Sequence, residues 1–308
     1  MNTTIQKFTL FFTTCLLGSL TGHAHEQDNW YLANEWSVPN SSSLGISYFE
    51  NNSTSLGQVF ICNGSGSSAR VSVYNLNGSV ARHITVASGR STLYDVTLDQ
   101  NGTIYIAGAH NVTCLANDGT FMWRKGKGAT ASAYGSVGAG ELEFNYPKGI
   151  TVGPDGNLYV TDTDNHRIQV LDKNGTYIKS IGTQGTAPGQ FNRPNSIGFL
   201  PDGIMVVRDD YRLHWFNPDG SFIKRFKESD GIKRSYMAIS PSGEIITWCE
   251  QDPSSTDGRW EVYLLDSYGS EIARLTHDTW TVKRQGMRYV FTPQGDLITS
   301  FDNQIEYK

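Results

Sequence analysis

Hydrophobic residues in this chain form short runs that end at glycine-containing turns. The runs at 104–106, 158–160 and 245–247 are examples, and none extends into a helical period with a cap at each end. Short apolar runs bounded by Asn-Gly, Asp-Gly or Ser-Gly are typical of β-hairpins. The 32 glycines agree with a structure rich in turns. The pattern predicts an all-β protein.

Two sets of turns recur along the chain. Turns of the first set end at Gly102, Gly156, Gly203, Gly243 and Gly295. Turns of the second set follow about twenty residues after the first hairpin of each unit, at Gly78, Gly119, Gly175, Gly220 and Gly269. Two hairpins in a unit of roughly 40–50 residues predict a four-stranded antiparallel propeller blade.

One unit carries a recognisable motif. Residues 144–150 read Phe-Asn-Tyr-Pro-Lys-Gly-Ile, residues 153–162 contain the first turn and second strand, and Asn165-His166-Arg167 opens the third strand. This unit resembles a full NHL repeat, a family named after the Asn-His-Leu position. The resemblance is strongest over residues 135–226, and it implies a β-propeller.

The turns and the resemblance together predict a six-bladed propeller. The predicted blades are residues 41–86, 87–130, 144–190, 191–230, 231–277 and 284–308. The last unit has room for only three strands, at 288–291, 297–301 and 305–308. We expect the strand-like segment 29–37 to join this blade, because it would close the ring and cover an edge that invites aggregation.

The N-terminus has the features of a signal peptide. Lys7 precedes an apolar stretch at 8–20, and Gly22-His23-Ala24 fits the small-x-small rule for cleavage. We therefore expect a signal peptide at 1–24, a mature domain at 25–308 and a secreted or periplasmic location. We predict no lipid anchor and no transmembrane helix.

Charge and cysteine content reduce the range of functions that the sequence allows. A net charge of −5 argues against nucleic-acid binding, which requires a basic face. Cys62, Cys114 and Cys249 would remain after cleavage, an odd number without Cys-x-x-Cys spacing. Cys114 occupies an apolar strand position, so a buried thiol is expected there.

The loop from Asp162 to Arg167 also contains Asp164 and His166. Histidine and carboxylates could indicate a metal or an acid–base site. We favour a structural role, in which a carboxylate pairs with Arg167 and caps the turn.

The innermost strand of each blade lines the channel of a propeller. Counting back from the first-turn glycines predicts a ligand-binding ring at the channel mouth. Its members are Asp95, Lys148, Asn195, Tyr236 and Arg288. Two cations against one carboxylate favour an anionic ligand, and Tyr236 could stack on a sugar ring.

The sequence predicts a binding scaffold for a protein, peptide or glycan, acting as a monomer without a cofactor. The resemblance leaves open a metal-dependent enzyme, either a calcium lactonase of the gluconolactonase or paraoxonase type or a zinc-dependent peptidyl-hydroxyglycine amidating lyase. Asp95 and Asn195 alone would form a weak calcium site, and no histidine falls on the counted ring. No metal ligand or catalytic residue is assigned, and an enzymatic role is not favoured.

Overall fold

The computed structural model describes residues 9–13, 31–36, 43–51, 56–63, 65–66, 69–76, 79–86, 91–210, 212–227, 236–250, 260–277, 288–295 and 297–300. The regular elements in these ranges are strands and one 3-10 turn, Thr163–Asn165. The first strands are β1 (Thr9–Thr13), β2 (Tyr31–Trp36), β3 (Ser43–Asn51), β4 (Leu56–Asn63), β5 (Ser65–Gly66), β6 (Arg70–Asn75), β7 (Val80–Thr85), β8 (Ser91–Leu98), β9 (Ile104–Gly108), β10 (Val112–Leu115) and β11 (Phe121–Lys125). The others are β12 (Pro147–Val152), β13 (Leu158–Asp162), β14 (Arg167–Leu171), β15 (Tyr177–Ile181), β16 (Ser196–Phe199), β17 (Met205–Arg208), β18 (Arg212–Phe216), β19 (Phe222–Lys227), β20 (Met237–Ile239), β21 (Ile245–Glu250), β22 (Trp260–Leu265), β23 (Glu271–His277), β24 (Arg288–Phe291) and β25 (Leu297–Ser300).

Five blades can be followed through the described parts of the chain. Their strand orders are β3-β4-β6-β7, β8-β9-β10-β11, β12-β13-β14-β15, β16-β17-β18-β19 and β20-β21-β22-β23, and the two-residue strand β5 adds to β8. Neighbouring strands within each blade are antiparallel. The prediction of an all-β propeller with four-stranded antiparallel blades is confirmed.

A further sheet joins the two ends of the described chain. Strands β24 and β25 form an antiparallel hairpin, and β1 and β2 add to it in parallel in the order β2-β1-β25-β24. The segment predicted to join the last unit, 29–37, does contribute β2 to this sheet. Strand β1 lies between β2 and β25, and it comes from the predicted signal peptide. The predicted strand at 305–308 lies outside the described residues.

The first strands of the sheets lie side by side around the centre. Strands β3, β8, β12, β16, β20 and β24 contact one another in this order, and β24 also contacts β3. They surround a central cavity of about 290 Å³. The hydrophobic cores lie between neighbouring blades: one buried cluster contains Phe60 and Ile104, and another contains Tyr159 and Met205. Cys114 is buried in one of these cores, as predicted.

The predicted turn glycines that lie within the described ranges adopt the conformation that the turns require. Gly102 and Gly156 have φ angles of 78° and 76°, which a residue with a side chain adopts only at a cost. In the first turn, the carboxylate of Asp99 accepts hydrogen bonds from the backbone N–H groups of Asn101 and Thr103. An aspartate that accepts such bonds at the start of a turn explains why these short segments reverse the chain.

Candidate functional site

One end of the propeller carries the starts of the inner strands, and we call it the strand-start face. Pro147 at the start of β12 pairs with Asp162 at the end of β13, and Ser196 at the start of β16 pairs with Arg208 at the end of β17. The turns between second and third strands therefore lie on the same face. The hairpin between third and fourth strands, such as the one containing Tyr268, lies at the opposite end.

Two members of the predicted ring, Asp95 and Tyr236, line the central cavity. Asp95 also has a structural contact, because its carboxylate accepts a hydrogen bond from the backbone N–H of Ile150 on the next inner strand at 3.0 Å. Its other oxygen accepts one from the N–H of Val96 at 3.0 Å. Asp95 thus ties the inner strands of two blades together.

Lys148 and Asn195 are not among the side chains that line the cavity. Each stands one position earlier in its repeat than Asp95 and Tyr236 do, counted from the turn glycine. Lys148 is half-buried, and Asn195 is buried, with no hydrogen-bond partner for its Oδ1 among the described residues. Strand β24 begins at Arg288, whose side chain lies outside what the structure describes. A positive excess around the ring therefore stays a prediction.

The cavity lining is mixed in polarity. Hydroxyl groups come from the side chains Ser47, Thr97, Thr151, Ser196 and Tyr236. Aliphatic and aromatic side chains make up most of the remainder, and Asp95 is the charged residue among the described lining positions. Such a lining can hold a ligand through one carboxylate, several hydroxyl groups and apolar contact.

A group of aromatic side chains at this mouth was not predicted from the sequence. We define the mouth cluster as Tyr94, His110, Tyr146 and Tyr236. The ring of Tyr146 lies with its centroid 4.9 Å from that of His110 and 6.2 Å from that of Tyr94, both in edge-to-face geometry. Edge-to-face pairs at these distances are favourable, so the three rings support one another.

The electrostatics of the mouth cluster reflect its partial burial. Burial raises the pKa of Tyr94 to about 12, and the neighbouring Tyr146, Tyr236 and Asp164 add to the increase. Burial also lowers the pKa of His110 below its usual value. These shifts favour the uncharged forms of Tyr94 and His110 at pH 7.

Two side chains at this face stand on unusual backbone. Tyr146 and Arg193 have φ angles of 52° and 59°, and they precede Pro147 and Pro194 at equivalent positions of adjacent blades. A residue before proline normally adopts an extended conformation. A non-glycine residue at positive φ costs roughly 1–3 kcal/mol and is often associated with a functional site. Tyr146 nevertheless remains 40% exposed.

Contacts from the turn after β13 hold Arg193 in place. Its Nε donates to Oδ1 of Asp164 at 3.0 Å, and its backbone N–H donates to Nδ1 of His166 at 3.1 Å. The backbone N–H of Asp164 donates in turn to the carbonyl of Asn145 at 3.0 Å. Asp164 thus connects the segment before Tyr146 to Arg193.

The other charges of this loop are structural, as predicted. The buried carboxylate of Asp162 accepts hydrogen bonds from Nε of Arg167, Nδ2 of Asn165, Nε2 of Gln169 and the N–H of Asn145. Burial raises the pKa of Asp162, and these hydrogen bonds oppose the increase. The expected turn cap is not formed by Asp162, whose side chain makes no capping hydrogen bond to the 3-10 turn.

The family model for the NHL repeat matches residues 144–171. This segment contains β12, β13 and β14 and the loop just described. The chain therefore carries a match to one NHL repeat within a β-propeller fold.

Two curated relatives share parts of this propeller. The RING finger protein nhl-1 of Caenorhabditis elegans is 39% identical over 68 residues, which cover 22% of this chain and 7% of that protein. The protein brain tumor of Drosophila melanogaster is 30% identical over 124 residues, which cover 37% of this chain and 11% of that protein. The matches thus span a small part of these relatives.

Solved structures share the fold at low sequence identity. A protein of unknown function from Bacteroides caccae superimposes with a TM-score of 0.56 at 12% identity, covering 87% of this chain and 89% of that chain. Catalytically inactive virginiamycin B lyase from Staphylococcus aureus, solved with quinupristin, gives 0.55 at 14% identity, covering 81% and 75%. At such identities the likeness shows the fold alone.

Neither metal clusters nor membrane spans are found in the described part of the chain. No group of three or more His, Cys, Asp or Glu side chains there could hold a metal ion. No helix in the described ranges is long and apolar enough to cross a membrane.

Proposed function

We propose that this NHL-repeat propeller is a binding module whose ligand docks on the strand-start face, at the mouth of the central channel. The mouth cluster is the observation that carries the proposal. It presents a partly exposed tyrosine at positive φ, Tyr146, and another of its members, Tyr236, lines the cavity of about 290 Å³. Because one fold hosts many functions, these side chains and not the propeller itself indicate binding.

Aromatic side chains are suited to binding because they offer a large contact area with few rotatable bonds. Tyrosine in particular combines an apolar ring with a hydroxyl group that can donate or accept a hydrogen bond. The edge-to-face contacts with His110 and Tyr94 fix the ring of Tyr146 before any ligand arrives. A pre-ordered ring loses little entropy on binding, which favours affinity.

A closed ring of six blades is part of the proposal. The contacts of β24 with both β20 and β3 support it, because β24 then occupies the remaining place around the centre. Closure would give the mouth a rigid frame. Because β1 lies between β2 and β25 and would be lost with residues 1–24, segment 29–37 would then have to cover the edge of β25 directly.

We also propose that residues 1–24 are removed and that the protein then acts outside the cytoplasm. It would act as a monomer, without a cofactor, and bind a protein, peptide or glycan. The apolar stretch at 8–20 and the small residues after it support the location. Intact-mass analysis of protein recovered from the secreted or periplasmic fraction tests it, with a chain starting at His25 as the expected result.

Array binding tests the site itself. Wild type, Tyr146→Ala and Tyr268→Ala would be applied to arrays of oligosaccharides and of peptides. Tyr268 is a matched control, because it is 76% exposed in a hairpin at the opposite end. Tyr146→Ala should weaken the strongest signals at least about tenfold, equivalent to about 1.4 kcal/mol. Tyr268→Ala should leave them unchanged. Equal binding by all three proteins would exclude the mouth as the site.

A further inference from the structure

Resting on the proposed function, we propose that Tyr146, Asp164 and Arg193 form a subsite for a uronic acid unit of a glycan. The three residues are joined by contacts on the strand-start face. Tyr146 directly follows Asn145, whose carbonyl accepts a hydrogen bond from the backbone N–H of Asp164 at 3.0 Å, and the Asp164 carboxylate pairs with Arg193. Each supplies a different kind of recognition, and a uronic acid requires all three kinds.

Tyr146 supplies an apolar surface for the ring of the sugar. His110 and Tyr94 orient its side chain, and the residue is 40% exposed to solvent. The C–H groups of a pyranose face pack against aromatic rings in the same way as other apolar surfaces do.

Asp164 supplies an acceptor for sugar hydroxyl groups. Its Oδ1 accepts from Nε of Arg193 at 3.0 Å, and its Oδ2 receives no hydrogen bond from a described residue. An ionised carboxylate has about four lone-pair sites, so most of its accepting capacity remains. Hydroxyl groups on neighbouring ring carbons are suitable donors.

Arg193 supplies a partner for the carboxylate of the sugar. Only its Nε is engaged by a described side chain, which leaves Nη1 and Nη2 available. The ion pair with Asp164 is exposed, at 41% for Arg193 and 28% for Asp164, so it contributes little to folding. The guanidinium can therefore bind a ligand carboxylate through two parallel hydrogen bonds.

The combination selects the ligand class. An acidic peptide would satisfy Arg193 but lacks adjacent hydroxyl groups for Asp164. A neutral sugar would satisfy Tyr146 and Asp164 but not Arg193. A uronic acid presents a ring face, vicinal hydroxyl groups and a carboxylate on one small unit, so it matches all three residues.

Calorimetric titration with trigalacturonic acid and with its methyl ester tests the subsite. Esterification removes the charge and keeps the rings and hydroxyl groups. Wild type should bind the acid about 10- to 100-fold more tightly than the ester, the usual range for a hydrogen bond to a charged group. Arg193→Gln should abolish this preference with little effect on the ester. Arg225→Gln, which changes an exposed arginine on β19, should behave as wild type does.

The outcomes separate the two proposals. Equal binding of acid and ester, with both weakened by Tyr146→Ala, would overturn the carboxylate subsite and leave the mouth as the binding site. Binding that no mouth variant changes would overturn both. Failure of wild type to bind trigalacturonic acid, or equal binding of triglutamate, would overturn the uronic acid assignment. Thermal melting of each variant verifies folding, and Arg193→Lys provides a second variant that keeps the charge and loses the paired donors.

Discussion

Nε of Arg167 lies 2.9 Å from Oδ2 of Asp162, whose side chain is fully buried. One blade further along the chain, Arg212 makes the same ion pair with the buried Asp209. In both blades the carboxylate also accepts a hydrogen bond from the backbone N–H of an asparagine that precedes the inner strand of the same blade, Asn145 or Asn192. The charged loop of the repeat therefore fastens the chain segment that enters each blade.

Removing the arginine should destabilise the fold without affecting binding. Arg167→Ala would leave Asp162 buried without its charged donor, and we expect a loss of about 1–3 kcal/mol in the free energy of unfolding. Urea denaturation measures it, with Arg225→Ala as the exposed control. If Arg167→Ala kept full stability and lost ligand binding, the loop would be a site and not a support.

Acid should weaken the fold through Asp209. Burial alone would raise the pKa of Asp209, but hydrogen bonds from His214, Arg212 and the N–H of Asn192 outweigh it and lower the pKa to about 2. An unfolded aspartate has a pKa of about 3.9. The carboxylate therefore contributes its full roughly 2–3 kcal/mol above about pH 4 and loses it as the pH falls toward 2.

The difference in unfolding free energy between wild type and Asp209→Asn measures this contribution. The difference should be largest near pH 6 and shrink between about pH 4 and pH 2, because only the wild type has a carboxylate at position 209 that becomes protonated in this range. A difference that stays constant over this range would mean that Asp209 does not gain its low pKa from folding.

Hydrogen bonds between blades should make a measurable contribution to the free energy of unfolding. Nε1 of the buried Trp215 donates to the carbonyl of Ser267 in the next blade at 2.9 Å. Trp215→Phe should lower the free energy of unfolding by about 1–3 kcal/mol, because a partly buried acceptor loses its donor. Trp123 donates to the carbonyl of Lys173 at 3.2 Å in a more exposed position, so Trp123→Phe should cost less. Equal losses of unfolding free energy in the two variants would show that burial does not determine the cost of losing the hydrogen bond.

Deletion of residues 26–37 tests the closure of the ring. It removes β2 from the sheet that contains β24 and β25. We expect aggregation or misfolding, seen by size-exclusion chromatography, because a sheet edge becomes unprotected. A monomeric product with an unchanged melting temperature would mean that this segment has no part in closure.

The repeat could be predicted because its turns depend on local chemistry. Gly102, Gly156 and Gly203 stand where the backbone takes a positive φ, and such positions are visible in a sequence. Strand β1 could not be predicted, because its pairing with β25 joins residues nearly the whole chain apart. Nothing in the local pattern of Thr9–Thr13 specifies that partner.

The candidate site could be predicted only in part. Counting from the turn glycines found Asp95 and Tyr236, since strand positions follow from the register of a hairpin. Tyr146 and Arg193 were missed, because a residue before proline is expected to be extended and both are at positive φ. The signal that could have found them is the recurrence of Phe-Asn-x-Pro at 144–147 and 191–194.

A crystal structure of the propeller with the strongest ligand from the array screen would show where the ligand binds. We predict ligand density on the strand-start face, in contact with Tyr146 and within reach of Tyr236 and Arg193. Ligand bound at the opposite mouth, near Phe199 and Phe291, or on the outer strands with the mouth cluster unoccupied, would contradict it.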